Sequence, residues 1–347
     1  MMADQVVLAL NSGSSSLKYG LYLVSGDAPE RVVDGVIETT DEHAAVFDSI
    51  AAELGEANTP VPTVIGHRVV HGGARRYAHC LIDDTVMTDL GAACAFAPLH
   101  GPASLALIRA AKVRYPGVPQ VACFDTAFHA GLPDVARSLP IPSAYRAEGV
   151  RRYGFHGLSC ESILHQLADG IPDRLIIAHL GNGASITAVQ GGRSIDTSMG
   201  LTPSGGVMMA TRAGDIDPGV LLFLLREKGM SPNALATLVD HASGMMGISG
   251  HSGDMRRLRV AAATDIDAEL AIRMFVHSVT KGIAAMAGSL GGANMLVLTG
   301  GIGENDDATV KAITDGLAWL PALQIVTMSS QEDVQIARHA ARFAVSA

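Results

Sequence analysis

An apolar run, a hydroxyl-rich turn and a second apolar run open this chain: Val6-Val7-Leu8-Ala9-Leu10, then Asn11-Ser12-Gly13-Ser14-Ser15-Ser16, then Leu17-Lys18-Tyr19-Gly20-Leu21-Tyr22. That order predicts strand, tight turn, strand. Gly13 lets the backbone bend and come close to a ligand. Three serines and Lys18 stand where a polyanion would sit, and Asn11 is free to order a metal-bound water or a phosphate oxygen. An ordinary hairpin with a soluble tip is the plainer alternative, and it weakens as further segments are added.

Two more strands run into glycine turns. One is Ile176-Ile177-Ala178-His179-Leu180-Gly181-Asn182-Gly183, the other Leu296-Val297-Leu298-Thr299-Gly300-Gly301-Ile302-Gly303-Glu304-Asn305. Each would leave backbone N–H groups at the end of a buried strand, where they can hold anionic oxygens. A single such turn is common in a Gly-rich chain. Three of them predict a nucleotide held between two lobes. The chain has no GxxxxGK[ST] and no GxGxxG opening a helix after the first strand. Walker-type and dinucleotide-type sites are therefore excluded.

Length and composition agree with this. A chain of 347 residues predicts two domains. The net charge of −9 argues against nucleic acid and anionic membranes as partners, so cationic groups must act locally on a small anion. Cys80, Cys94, Cys123 and Cys160 show no CxxC or Cys/His zinc spacing. Free thiols and the lack of a leader pattern predict a cytoplasmic protein. The uncharged stretch 282–303 is long enough to consider as a membrane span, but its seven glycines predict a buried helix and strand instead.

Strands are predicted at 6–10, 17–24, 31–37, 63–67 and 119–124, with helices at 41–54 (started by Asp41) and 103–115 (behind Pro102). A similar order recurs: strands at 175–178, 185–190 and 193–196, helices at 218–228, 232–240 and about 265–290, and a strand at 295–299. Three strands followed by alternating elements, twice over, predicts an α/β duplication. The Pro- and Gly-rich stretch 127–160 is the expected crossover.

Several cations and imidazoles sit among small residues. Arg68 lies in Gly66-His67-Arg68-Val69-Val70-His71-Gly72-Gly73, Arg212 in Met209-Ala210-Thr211-Arg212-Ala213-Gly214-Asp215, and His156 in Tyr153-Gly154-Phe155-His156-Gly157. Arginine suits carboxylate or phosphate binding. Structural ion pairs with Asp125 or Asp215, and a core role for His156, are the competing readings. Asp125 follows a predicted buried strand and could act as a base, as a magnesium-water ligand or as a partner for an arginine.

Taken together, the segments NSGSSSLKY, GHRVVHGG, APLHGP, FDTAFH, RRYGFHG, HLGNGASITAV, DTSMGLTP, MMATRAGDIDPG, GISGHSGDMR and GGIGEN resemble the acetate kinase family. The resemblance covers almost the whole chain. It implies a two-lobed actin-like (ribonuclease-H-like, duplicated) α/β fold with a central interdomain cleft. The lobes would be residues 1–128 plus 331–347, carrying the phosphate hairpin, and residues 129–330, binding nucleotide and forming a homodimer. It implies Mg²⁺-dependent (or Mn²⁺-dependent) transfer of the ATP γ-phosphoryl group to acetate, giving acetyl phosphate and ADP. Asp125, His156 and Arg212 would be catalytic. Arg68 would bind the acetate carboxylate, Val70, Leu99, Phe155 and Pro203 its methyl, and His100 would be an auxiliary histidine. Ser14, Ser16 and Lys18 would form the phosphate hairpin. His179, Leu180, Gly181, Asn182 and Gly183, Asp254, Met255 and Arg256, and Gly301, Ile302, Gly303, Glu304 and Asn305 would contact nucleotide. Asn11 and Glu332 would serve the metal.

Acetate is ionised at neutral pH, so its attack needs no general base, and Asp125 is better read as orienting magnesium or arginine groups. The chain also departs from the family pattern. It is shorter than typical members between the 301–304 turn and the tail, and Ser330-Gln331-Glu332-Asp333 stands in for a Thr-Asn-Glu-Glu motif. Ser204-Gly205 replaces Leu-Glu after the pocket proline, and Gly101 replaces an Asn after His100. Two other functions compete: a kinase preferring propionate or butyrate, against which Val70 argues, and a nucleotide-binding sensor with impaired chemistry.

Overall fold

The computed structural model describes residues 5–13, 16–38, 43–57, 59–97 and 100–344. They fall into two compact units: Met1–Ala130, His156–Gln166 and Gln331–Ala347 form one, Gly131–Phe155 and Leu167–Ser330 the other.

The first unit is built on β1 (Gln5–Ser12), β2 (Ser16–Ser25), β3 (Ala28–Glu38), β4 (Val64–Val69), β5 (Cys80–Leu81) and β6 (Gln120–Phe124), in the order β3-β2-β1-β4-β6-β5. β1, β2 and β3 run antiparallel; β4 and β6 add parallel to β1. Side chains alternate across the sheet. Leu8 and Leu10 pack with Phe47, Ile50 and Leu107 from the helices His43–Glu56 and Gly101–Arg114. Val7 and Ala9 face Ile336, Ala337, Ala340 and Ala341 of the C-terminal helix Glu332–Ala344. Cover on both faces explains why β1 reads as a continuous apolar run from Val6 to Leu10. A Cβ at Gly66 would lie 2.7 Å from Ile336 Cγ2, so the glycine lets the C-terminal helix lie directly on β4.

The second unit repeats the plan with β7 (Arg174–Leu180), β8 (Ala184–Gln190), β9 (Arg193–Thr197), β10 (Met295–Thr299) and β11 (Gln324–Thr327), in the order β11-β10-β7-β8-β9. β7, β8 and β9 are antiparallel, and β10 and β11 join parallel to β7. The long helix Ile266–Leu290 covers this sheet. The Asp265 side chain caps its start by accepting the Asp267 and Ala268 amides, and Gly291 ends it at φ 65°.

The duplicated order read from the sequence is therefore present, with strand ends shifted by a few residues. The stretch 282–303 is the end of that helix followed by β10, and no helix among the described residues is long and apolar enough to cross a membrane. The helix start expected at Asp41 lies outside the described residues. Elements not expected from the sequence include β5, the helix Gly157–Leu167 and the C-terminal helix. β5 has only two residues, too few for a strand pattern, whereas the C-terminal helix carries Ile336, Ala337, Ala340 and Ala341 at helical spacing, a signal that the sequence does contain.

Candidate active site

In the first unit one connected polar network lies at the carboxyl ends of β1, β4 and β6. Arg68, near the end of β4, grips Asp125, the residue after β6. Its Nε lies 3.1 and 3.0 Å from the two carboxylate oxygens and its Nη2 2.7 Å from Oδ2. Arg68 Nη1 donates to Asn11 Oδ1 at 3.2 Å and to the Ser12 carbonyl at 3.4 Å. Asn11 Nδ2 in turn donates to Glu332 Oε2 at 3.1 Å and to Asp333 Oδ1 at 2.7 Å. The geometry at Asp125 is that of an arginine partner. Most of the guanidinium fork is committed to it. Among the described residues, one Nη2 hydrogen of the five N–H donors is left for a substrate oxygen.

Charge in this network is unbalanced. Asp125, Glu332 and Asp333 surround one half-buried guanidinium, with Lys18 at the exposed edge. Burial alone would lower the Arg68 pKa, but the Asp125 and Glu332 carboxylates more than offset it and the group is raised. Burial pushes the Asp125 carboxyl up against the pull of Arg68, and Glu332 and Glu161 add to the rise. Burial also raises Asp333, helped by its neighbour Glu332.

His156 is 8 % exposed and sits at φ 57°, left-handed backbone that costs a non-glycine residue strain. Its carbonyl accepts the Cys160 amide, which starts the helix Gly157–Leu167, and the Gly157 amide donates to the Asp125 carbonyl at 2.8 Å. His156 and Asp125 are thus neighbours through the backbone. Val70 is buried and His100 half-buried in the same unit. Ser16 pairs with Glu38 and Lys18 with Asn11 in the sheet. Ser14 and Leu99 lie outside the described residues.

In the second unit four segments that are distant in sequence touch one another. Gly300, at φ 79°, packs so closely on β7 that a Cβ would lie 2.8 Å from the Leu180 carbonyl oxygen. A Cβ at Gly181 would lie 3.9 Å from the Gly301 nitrogen. The Ala210 amide donates to the Asn182 carbonyl at 3.2 Å, and a Cβ at Gly253 would lie 2.5 Å from the Ala210 carbonyl. The turns at 181–183 and 300–303, the Arg212 loop and the Asp254 turn are therefore one assembly. At Gly300 and Gly253 only a residue without a Cβ allows the approach, whereas a Cβ at Gly181 would make ordinary contacts.

Individual side chains here have defined tasks. Arg212 Nη1 donates to the Pro203 carbonyl at 2.7 Å, while the Asp215 carboxylate accepts the Gly206 amide. Asp254 caps the helix Met255–Ala261 by accepting the Arg256 amide, and also holds the Arg256 side chain. Those bonds lower the Asp254 pKa to about 2. Glu304 folds back to accept the Gly300 amide at 2.9 Å and the Ser330 amide at 3.0 Å. Asn305 donates to the Gly301 carbonyl, Met255 and Phe155 are buried, and Ile302 and His179 are half-buried.

Sequence reasoning missed Asp333 and three residues of the first unit, His79, Glu161 and His339. For Asp333 a signal existed: it follows Glu332 on a helix start. For the other three no spacing links positions so far apart.

Residues 39–345 match the family model described as the acetokinase family. An acetate kinase from Deinococcus deserti is 44% identical over 338 residues, covering 89% of this chain and 84% of that protein. A propionate kinase from Francisella tularensis superposes with a TM-score of 0.88 at 34% identity, over 97% of this chain and 99% of that one. Porphyromonas gingivalis acetate kinase superposes with a TM-score of 0.83 at 31% identity, over 98% of this chain and 99% of that one.

Proposed function

The chain belongs to the acetokinase family, a family of kinases with the two-domain actin-like fold, and we propose that it transfers the ATP γ-phosphoryl group to acetate. The observation that carries this reading is the Arg68–Asp125 ion pair joined through Asn11 to Glu332 and Asp333. A fixed cation suited to a small carboxylate, beside a surplus of carboxylate oxygens, supports this reading.

That surplus fits a divalent cation. Glu332 and Asp333 offer hard oxygen donors of the kind Mg²⁺ takes, and Asp333 is raised first by burial and then by the neighbouring Glu332 carboxylate. Glu332 and Asp333 would hold the ion, with Asn11 orienting both carboxylates. When bound, Mg²⁺ supplies positive charge to the phosphate oxygens of the nucleotide.

Arg68 holds one acetate oxygen through its remaining Nη2 hydrogen. The other oxygen attacks the γ-phosphorus as the bond to the β,γ-bridging oxygen breaks, and ADP leaves. The acetate electron pair makes the new bond, so no proton moves. Asp125 fixes Arg68 and takes no proton. Arg212 and His156 neutralise the equatorial oxygens during the in-line transfer. Lys18, Ser14 and Ser16 are assigned to the phosphates. The assembled turns at 181–183, 254–256 and 301–305 hold the nucleotide. The resemblance to the family assigns the acetate methyl to Val70, Leu99, Phe155 and Pro203, with His100 as an auxiliary residue.

ATP as substrate and four free cysteines support a cytoplasmic enzyme. A homodimer is supported by the helices Pro218–Arg226 and Pro232–His241, which contain no buried residue and expose Leu222 and Phe223.

A second reading, a propionate-preferring kinase, is favoured by the likeness to the Francisella tularensis protein. One extra methylene is worth only about 1–3 kcal/mol in an apolar pocket, so activity on both acids is expected. The test is acyl phosphate formation, trapped as hydroxamate, with acetate, propionate and butyrate, each with and without Mg²⁺. The proposal predicts the highest kcat/KM with acetate and none without the metal. A propionate preference supports the second reading, and ATP binding without acyl phosphate supports a sensor.

A further inference from the structure

His79, Glu161 and His339 come from three segments of the first unit and meet beside the backbone of Phe124 and Asp125. Glu161 Oε2 lies 2.7 Å from His339 Nε2, and Glu161 Oε1 lies 3.5 Å from His79 Nε2. The two rings are 3.9 Å apart. On its other side, His79 Nδ1 accepts the Phe124 amide at 3.0 Å.

That amide contact decides the chemistry. β5 stops at Cys80, so the Phe124 N–H on that edge of β6 is met by the His79 ring. A nitrogen that accepts a hydrogen carries the lone pair, so in the neutral ring the proton is on Nε2. Nε2 is buried and has no hydrogen-bond partner at ordinary distance; the nearest acceptor is Glu161. A protonated Nε2 offers no lone pair, which argues against reading the cluster as a metal site. Gln335 Nε2 also reaches His339 Nε2, at 2.8 Å. A ring nitrogen has one bonding position; the Gln335 amide could only donate to an unprotonated Nε2, whereas the ionised Glu161 carboxylate accepts from a protonated one, and the charge-assisted bond is the stronger. Glu161 is ionised, its pKa drawn down to about 2 by the two histidines against the cost of burial.

The Phe124–Asp125 segment is thus held from both sides. His79 takes the Phe124 amide, and Gly157, one helical turn before Glu161, donates to the Asp125 carbonyl. We propose that Glu161 is a positioning residue: by gathering the Nε2 protons of His79 and His339 it keeps His79 in the tautomer that accepts the Phe124 amide, and so sets the Asp125 carboxylate that aims Arg68. This rests on the reading of Arg68 as the acetate binder.

The test uses the full-length protein. An asparagine at 79 carries its oxygen near the place of Nδ1 and accepts the amide in any protonation state. A glutamine at 79 places its polar atoms near Nε2 and does not. Glu161→Gln turns an N–H toward one of the two imidazoles. Glu161→Gln and His79→Gln are expected to raise the KM for acetate about tenfold and leave the KM for ATP within about twofold. His79→Asn keeps the acetate KM near that of the parent, and Glu161→Gln adds nothing further in the His79→Asn background. A purely structural role would lower active enzyme without splitting the two KM values.

Nitrogen NMR of the histidine rings in the parent protein is expected to show His79 protonated on Nε2 alone. That readout stands even if the protein makes no acyl phosphate, the outcome that would defeat the acetate kinase reading instead. The inference is overturned by a His79 proton on Nδ1. An unchanged acetate KM in Glu161→Gln, or stoichiometric Zn²⁺ binding that His79→Asn abolishes, would also overturn it.

Discussion

The backbone amide of Gly157 donates to the carbonyl oxygen of Asp125 at 2.8 Å, and this contact ties the start of one helix to the end of β6. It exists because Gly157 has no side chain. A Cβ there would overlap the Asp125 carbonyl oxygen and lie 2.9 Å from Phe128 Cβ. The Asp125 backbone on one side and the first side-chain carbon of Phe128 on the other cannot swing away.

Gly157→Ala should therefore destabilise the protein by about 1–3 kcal/mol and lower kcat by moving Asp125. Thermal melting and steady-state kinetics on the same sample check both. A melting temperature within about 1 °C of the parent's would show that the approach is not tight.

If Arg212 and His156 act as proposed, Arg212→Ala and His156→Ala should each lower kcat about 10²–10³-fold with circular dichroism unchanged. Near-normal kcat in both would remove them from that role. His156 also sits at φ 57°. His156→Gly should be as inactive as His156→Ala but more stable than it by about 1 kcal/mol, since glycine takes that backbone without strain. Equal melting temperatures for the two variants would contradict this.

Gly300 sits at φ 79° against the Leu180 carbonyl. Gly300→Ala should separate the two glycine turns of the second unit and raise the KM for ATP several-fold. The KM for acetate should change less. Isothermal titration with ATP checks the direction, and unaltered ATP affinity would take this contact out of the nucleotide site.

His67 is fully buried beside Gln120, and burial lowers its pKa from 6.5 to about 4. The unfolded chain binds a proton near pH 6.5 that the folded protein refuses until about pH 4. Stability is therefore intact above pH 6.5 and falls as the pH drops towards 4, by up to about 3 kcal/mol. Denaturant unfolding of His67→Leu between pH 7 and 4 should show a shallower loss than the parent. Parallel curves would mean that His67 is not held neutral.

Much of this architecture was readable in one dimension. Strands that end in Asn11-Ser12-Gly13, Gly181-Asn182-Gly183 and Gly300-Gly301 announce themselves, because turn chemistry and apolar runs are local signals. Helices behind Pro218 and Pro232 begin where their caps Asp217 and Ser231 stand. The C-terminal helix was not expected, although Glu332 on it was singled out. Its apolar residues Ile336, Ala337, Ala340 and Ala341 recur at helical spacing, but only the fold shows that they cover Val7 and Ala9 of β1 and lie against Gly66 of β4.

The order of residues alone determined the duplicated α/β plan, the glycine turns and the cations able to meet a phosphate, since each depends on neighbours a few positions away. Which protons and charges those groups carry was decided only by the folded chain. Arg68 is committed to Asp125, Asn11 bridges two carboxylates, and the Phe124 amide selects the His79 tautomer. Those outcomes depend on burial and on partners brought from far along the chain, and electrostatic interaction falls off with distance in space, not with separation in sequence.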